Sequence, residues 1–433
     1  MTTVKERHDG TGVAVTVDGT IRQVLGLSLP IGVRAWDGST SGPQDGPVLV
    51  LNSPVALRHL LWHPGELGLA RGYVSGALDV DGDLREGLRQ CWTRLRAGAV
   101  RRPALRDWPR LVAAAARLGV VGPPPKAPAE EARLRGRLHA PGRDKAAIAH
   151  HYDLGNDFYR LLLDPSMAYS CALWSAEDEE LATAQRAKLD RICRLLDLGP
   201  GMRLLDVGCG WGSLILHAAE HYGVRATGVT ISASQRRFVT DRVAERGLGD
   251  LVEVRLRDYR EIAASGSDGG YDAVSSIEMG EHVGEANYPV YAATLHRALR
   301  PGGRLMLQQM SRGAVAPGGG AFIESYIAPD MTMRPLGRTL AHLEDTGLEV
   351  RDVLSMREHY VRTVDAWART LEERWDDVVA AFGVGTARVW RLYLVGGALA
   401  FEENRMSVHQ ILAVRPGEFG ESGMWDRQAG VPA

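Results

Sequence analysis

Residues able to do chemistry gather around one short stretch of the chain. Gly208, Gly210 and Gly212 follow the apolar run Leu204-Leu205-Asp206-Val207 and precede an amphipathic segment, Ser213 to His221. A strand that enters a glycine turn and then a helix lets backbone approach a ligand without side-chain interference, and the helix N-terminus offers unpaired N–H groups. That is the chemistry of holding a nucleotide-type cofactor. The triplet alone has little specificity, because doubly wound folds use such turns for quite different ligands. Cys209, inside the loop, reads as packing.

The surrounding elements narrow the choice. Strand-like and helix-like segments alternate for about a hundred residues, which argues for a parallel sheet with helices on both faces. Arg225 to Thr230 reads as the second strand, Val252 to Leu256 as the third and Tyr271 to Ile277 as the fourth. Arg304 to Met310 reads as the fifth, after a turn at Pro301-Gly302-Gly303. In such sheets ligands lie outside the carboxyl ends of the strands. Those ends carry Asp206 to Gly210, Thr230, Asp258-Tyr259 and Glu278 to His282. The second strand has no terminal acid for a ribose hydroxyl and no basic residue for a 2'-phosphate, so a dinucleotide fits poorly. An S-adenosylmethionine-dependent methyltransferase fits better.

Upstream lie His151-Tyr152-Asp153-Leu154-Gly155-Asn156-Asp157-Phe158-Tyr159, Leu163-Asp164-Pro165-Ser166-Met167 and Tyr169-Ser170-Cys171-Ala172. This block resembles the entry segment of cyclopropane-fatty-acid synthases. The glycine loop is similar to that family too, as are Gly228-Val229-Thr230-Ile231-Ser232 with Gln235, Asp258-Tyr259-Arg260, Glu281-His282-Val283-Gly284 and Tyr360. The motifs occur in the family's order from roughly Ala147 to the C-terminus. The resemblance implies an α/β, Rossmann-like class I methyltransferase fold with a mostly parallel seven-stranded sheet, plus a smaller N-terminal α+β domain.

By matching position, it implies that Tyr169, Ser170, Gly208, Gly210, Thr230, Gln235 and Tyr259 surround S-adenosylmethionine. Asp206, Gly212 and Asp258 join them from the strand ends and the glycine loop. It also implies a bicarbonate, serving as base, among Cys171, Glu281 and Tyr360, with His282 alongside. In relatives a histidine completes that cage. Here Gln308 stands at its position, and Met310 replaces an isoleucine two residues later. Glutamine can donate a hydrogen bond to an anion but cannot take up a proton. A methylene-branched product therefore competes with a cyclopropane. Without the resemblance, Cys171 would read as a small buried hydrophobe, Glu281 and His282 as a polar strand end, and Tyr360 as an amphipathic aromatic. His150 and His151 invite a metal, but no second ligand cluster accompanies them, so none is expected.

The expected reaction is methyl transfer from S-adenosylmethionine to the cis double bond of unsaturated acyl chains of membrane phospholipids, giving cyclopropane or methylene-branched chains. The competing reading is methyl transfer to a soluble small molecule or natural product on the same core. A non-catalytic relative is disfavoured by the intact Glu281, Cys171 and Tyr360 set. A methylene product would need a separate reductase to become a methyl branch, since nothing resembles a flavin or nicotinamide site.

The 433 residues suffice for roughly two or three domains. The expected division is an N-terminal accessory domain over 1–97, a basic helical linker over 98–146 and the catalytic domain over 147–433. Strand-like Pro47 to Leu51, then Ser53 to Trp62 and Gly72 to Leu78, resembles the small N-terminal domain of larger family members. Its role stays open between lipid capture, self-association as a homo-oligomer, and stabilisation. Net charge is −2 and hydrophobic content 45%, both ordinary for a globular chain. Cys91, Cys171, Cys193 and Cys209 show no paired spacing, which argues against a disulfide framework or zinc site. The polar start excludes a recognisable secretory signal. Leu392 to Phe401 is too short to span a bilayer and reads as a core helix.

Arg94, Arg96, Arg101, Arg102, Arg106, Arg110, Arg117, Lys126, Arg133, Arg135, Arg137, Arg143 and Lys145 face few acids, with Pro123-Pro124-Pro125 as a tether. A solvated linker is one reading. The other is a phospholipid membrane surface, where each basic residue near an anionic leaflet contributes about 1 kcal/mol, with Trp92 and Trp108 at the interface. No aromatic-basic module suits nucleic acid. The expected location is cytoplasmic, peripherally on the inner face of the membrane. Gly318 to Pro329, after the fifth strand, reads either as a cover over a hydrocarbon tunnel or as an ordinary insertion.

Overall fold

Short apolar runs cut by glycine and proline turns build the first of two units, which takes in residues 1–131 and 383–399. The structure, a computed structural model, describes residues 12–43, 45–97, 107–132, 142–143, 154–262, 270–313 and 319–424. Strands β1 (Gly32–Ala35), β2 (Thr40–Ser41), β3 (Val48–Leu51) and β4 (Leu78–Asp81) form a sheet in the order β2-β1-β3-β4, with β1 and β3 parallel. The helices Val13–Leu25 and Pro54–Trp62 bury Ala14, Val17 and Ala56 against Val33, Leu51 and Tyr73. This is an α+β unit, but it extends past Ala97 through the helix Trp108–Arg117 to Glu131, and it recruits Gly383–Leu399 from the far end of the chain.

Arg388 explains the recruitment. It is buried, and its Nε and Nη2 donate to the carbonyls of Tyr73 and Leu78 at 2.6 and 2.9 Å, while Nη1 pairs with Asp79 at 3.0 Å. A guanidinium out of water needs its donors met, and this site meets them. The chain from Leu392 to Phe401 lies, as expected, within a helix, Val384–Glu402, which buries Leu394, Ala398 and Leu399.

The second unit, residues 132–382 and 400–433, holds β5 (Arg203–Val207), β6 (Arg225–Thr230), β7 (Val252–Leu256), β8 (Tyr271–Ile277), β9 (Leu299–Arg312), β10 (Glu349–Ser355) and β11 (Met406–Val414). Their order is β10-β11-β9-β8-β5-β6-β7, with β11 antiparallel to both neighbours and β9-β8-β5-β6-β7 parallel. Strands β6 to β8 match the sequence reading residue for residue. β9 is longer, because Pro301-Gly302-Gly303 makes a bulge within it rather than a turn before it; Gly302 takes φ 75° and the register to β8 shifts there. Leu205, Val207, Val274, Leu305 and Leu307 form the core with Tyr288, Tyr291 and Leu295 of the helix Tyr288–Ala298.

From β5 the chain winds outward to β6 and β7, then returns to the other side of β5 for β8. The switch point, where such sheets bind ligands, therefore lies between the carboxyl ends of β5 and β8. In the insertion after β9, where Gly318 falls outside the described residues, Ile323–Ile327 forms a single wide helical turn with Tyr326 and Ile327 buried. No helix among the described residues is long and apolar enough to cross a membrane.

Candidate active site

β5 is buried over Leu204–Val207 and gives way to a turn that only glycine takes easily: Gly208, Gly210 and Gly212 have φ of 85°, 52° and 80°. A pocket opens there, lined by Tyr169, Ser170, Asp206, Gly208, Gly210, Thr230, Gln235, Asp258 and Tyr259. Nothing lies within 4 Å of where a Gly210 Cβ would stand, so its peptide faces open space in the pocket. Gly212 departs from expectation. A Cβ there would come within 2.7 Å of Val239 Cγ1, so this glycine serves close packing of the turn on the helix Ala233–Glu245 rather than the pocket wall.

Around the rim, Thr230 Oγ1 donates to Gln235 Oε1 at 2.8 Å. Burial pushes the Asp206 carboxyl up to about 6, although Ser275 Oγ donates to it at 2.7 Å. Burial would raise Asp258 too, but two bonds from the Arg260 side chain, each 2.8 Å, hold it below the usual carboxylate range. The Tyr169 ring packs 5.1 Å from Trp367 and 5.3 Å from Tyr159. Open peptide at a helix entrance, an acid at the end of β5 and an aromatic wall suit a nucleoside with a charged tail, which S-adenosylmethionine has.

The far side of the pocket is made by Glu278, the first residue after β8, and its backbone sits at φ 51°. A non-glycine side chain held there costs on the order of 1 kcal/mol. Its carboxylate is fully engaged. Cys171 N–H donates to Oε1 at 2.9 Å, Gln308 Nε2 to Oε1 at 2.8 Å, and Tyr360 OH to Oε2 at 2.5 Å. Gln410 Nε2 donates to Gln308 Oε1 at 3.0 Å, which turns the amide N–H₂ of Gln308 toward the acid. Burial raises the Glu278 carboxyl, tempered by these bonds and by Lys188.

Cys171, Gln308 and Tyr360 are thus brought together as the sequence suggests, but around Glu278 and not around Glu281. The cysteine acts through its amide; its thiol points to the Ala172 carbonyl at 3.3 Å, and burial pushes it well above the usual thiol range. Glu281 is buried beside the pocket. Its Oε1 accepts from Met310 N–H at 2.5 Å and its Oε2 has no partner. Burial and the neighbouring Glu278 push its carboxyl up to about 8, so at neutral pH it is largely protonated. His282 lines the pocket as a neutral imidazole, its pKa lowered by burial to about 4.

Sequence reasoning also missed Lys188. It is buried on the apolar stripe of the helix Leu181–Leu195, between Ala184 and Ile192, and donates from Nζ to Ser170 Oγ at 2.9 Å. A lysine at helical spacing among core residues was the available signal. Burial lowers its pKa and Glu278 opposes that shift. Among the basic residues, Arg143 already forms a two-pronged pair with Asp330 on the pocket rim, at 2.6 and 2.8 Å. Arg101, Arg102, Arg106, Arg133, Arg135, Arg137, Lys145, His150 and His151 lie outside the described residues, as does the side chain of Trp108.

The chain resembles known proteins over most of its length. A sequence family described as mycolic acid cyclopropane synthetase matches residues 139–411. A probable fatty acid methyltransferase of Mycobacterium tuberculosis is 39% identical over 413 residues, covering 91% of this chain and 93% of that protein. The cyclopropane-fatty-acyl-phospholipid synthase of Escherichia coli is 36% identical over 270 residues, covering 62% of this chain and 68% of its own. A crystal structure of a mycolic acid cyclopropane synthase complexed with SAH and CTAB superposes with a TM-score of 0.58 at 30% identity, over 62% of this chain and 97% of that one.

Proposed function

We infer, from the premise that this chain belongs to the mycolic acid cyclopropane synthetase family and is an S-adenosylmethionine-dependent methyltransferase of the fatty-acid type, that it methylates the cis double bond of unsaturated acyl chains in membrane phospholipids. The product is a cyclopropane or methylene-branched chain. One observation carries the reading: a pocket with a glycine-lined cofactor end also holds a carboxylate, Glu278, at the switch point. Methylation of an amine or hydroxyl has no need of an anion facing a carbocation, whereas methylation of an isolated alkene does.

S-Adenosylmethionine, when bound, supplies an electrophilic methyl group that adds to the double bond and leaves one positive charge on the acyl chain. The protein's residues do the rest. The open peptide of Gly210 and the neighbouring Gly208, with Thr230 and Gln235, hold the cofactor end. The Tyr169 and Trp211 rings, backed by Tyr159, wall off water, so that orientation supplies much of the rate. Glu278 presents its negative charge where the cation develops.

A phospholipid substrate is supported by the Escherichia coli relative's name and by the basic residues on described helices, Arg94 and Arg96 at the end of Leu84–Ala97 and Arg110 and Arg117 on Trp108–Arg117. These would face an anionic leaflet on the cytoplasmic side. The test uses methyl-labelled S-adenosylmethionine with dioleoyl vesicles bearing either anionic phosphatidylglycerol or neutral phosphatidylcholine. Label should enter the acyl chains, faster on anionic vesicles, with the advantage lost in high salt. Cyclopropyl or vinylidene proton signals then identify the product. Label that enters only a soluble acceptor overturns the reading.

A further inference from the structure

The resemblance to cyclopropane synthases implies a bicarbonate base, yet the groups that would hold it are taken. Cys171 N–H, the Gln308 amide and the Tyr360 hydroxyl all donate to Glu278, at 2.9, 2.8 and 2.5 Å. A small dissolved anion on the same donors would have to displace a tethered carboxylate that occupies them at high effective concentration. We propose that Glu278 is itself the catalytic base of this chain, standing where a bicarbonate would bind, so that turnover requires no dissolved carbonate. The proposal rests on the reading of the reaction as alkene methylation.

Three features of the site argue for a working group and not merely a structural one. Glu278 is the first residue after β8, at the switch point, and lines the pocket that also contains the glycine turn. Its backbone is held at φ 51°, a conformation that glycine would adopt without cost, so the side chain is kept despite the strain. Buried Lys188 lies close enough to favour its charged form. The other acid nearby, Glu281, lacks these features: it is buried beside the pocket, and one of its oxygens has no partner.

The step balances on the protein's own atoms. After methyl addition the acyl chain carries one positive charge, which is lost with one proton. Glu278 takes that proton and becomes a carboxylic acid. The electron pair of the broken C–H bond closes a three-membered ring when the proton leaves the added methyl group, or forms a carbon–carbon double bond when it leaves a chain carbon. The acid then returns its proton to solvent. Glutamine at 308 fits this scheme, because it needs only to donate to the carboxylate and never to accept a proton.

Two variants separate the possibilities. Glu278→Gln keeps the volume and removes the base. Glu278→Gly relaxes the backbone and opens a cavity beside the three donors that the carboxylate occupies in the wild type. In buffer stripped of carbon dioxide the wild type should turn over at the same rate as with added bicarbonate. Glu278→Gln should lose about 10²- to 10⁴-fold in kcat, the usual range for removing a general base, with cofactor affinity measured by calorimetry little changed. Glu278→Gly should be similarly slow and recover about tenfold or more with added bicarbonate or formate, while Glu278→Gln does not.

A second readout needs no lipid substrate. NMR line-broadening of labelled bicarbonate should appear with Glu278→Gly and be absent with the wild type and Glu278→Gln. Wild-type turnover that stops without bicarbonate, wild-type broadening that Tyr360→Phe abolishes, or a near-normal rate in Glu278→Gln would each overturn the proposal. A wild type that labels no acyl chain, yet shows the expected bicarbonate pattern, would instead remove the substrate reading and leave the anion site standing.

Discussion

The two ends of the pocket are built in opposite ways. At the cofactor end one continuous turn, from Gly208 to Trp211, brings glycine backbone to the surface, with Asp206, Thr230, Gln235 and Asp258 around it. At the acid end a side chain, Glu278 after β8, meets the pocket, and it is held from behind by groups from three separate places: the Cys171 amide ahead of the helix Leu181–Leu195, Gln308 in β9 and Tyr360 on the helix Arg357–Glu373. A surface made of backbone is sensitive to any added Cβ and insensitive to chemistry. A cage made of side chains is the reverse. The contrast predicts that bulk should damage one end and isosteric chemical changes the other.

The largest effect is expected from bulk at the cofactor end. Gly210→Val places a branched side chain in the open space over the turn, at φ 52°, where a β-branched residue costs about 1 to 3 kcal/mol of strain. Calorimetry should find S-adenosylmethionine binding lost, while circular dichroism shows the sheet retained at reduced melting temperature. Undiminished affinity would mean that the cofactor does not lie on this turn. The isosteric Cys209→Ser in the same loop is the contrasting control.

A smaller loss should follow Tyr360→Phe, which removes one donor from Glu278 and no bulk. A hydrogen bond to a charged group is worth about 1.5 to 3 kcal/mol, so kcat should fall by about tenfold or somewhat more. The sign of the accompanying pH effect is fixed. The bond favours the ionised carboxylate, so its loss lets burial push the Glu278 carboxyl higher still. Because the base works only when ionised, the acidic limb of the pH–rate profile should move to higher pH. A uniform drop with an unmoved limb would show that Tyr360 acts by packing alone.

This division also accounts for what was legible in the sequence. Strands β6 to β8 and the glycine turn were readable because local pattern sets them: a buried apolar run, then glycines at positive φ, then a helix. The acid end depends on residues far apart in sequence converging in space, and there the reading went to Glu281 from its neighbours His282-Val283-Gly284. Glu278, three residues earlier, was visible only as part of a strand end, and nothing local says that its side chain turns to Tyr360 and Gln308 while that of Glu281 turns to the amide of Met310. Gly212 was misplaced for the converse reason, since its partner Val239 lies on another helix. The recruitment of Gly383–Leu399 by Tyr73, Leu78 and Asp79 was beyond local reading altogether.

The smallest effect on turnover should come from Glu281→Gln, and its value is that the two acids give opposite results under the same substitution. Glu281 is pushed up to about 8 by burial and by Glu278, so at neutral pH the native side chain is already mostly neutral and glutamine reproduces its shape and charge. Met310 N–H keeps an acceptor at the Oε1 position. Turnover near pH 7 should therefore stay within about threefold of wild type, against the large loss at Glu278. Stability should show what activity does not. An acid whose folded pKa is raised binds a proton in the folded state that the unfolded chain releases, so its contribution to stability falls as pH rises from about 4.5 toward about 8 and then levels off. Glutamine cannot titrate, so the variant should melt at a similar temperature to wild type in mild acid and gain on it progressively up to about pH 8. A hundredfold loss of turnover at neutral pH, with a melting difference that does not change with pH, would place an ionised Glu281 in the mechanism and erase the distinction between the two carboxylates.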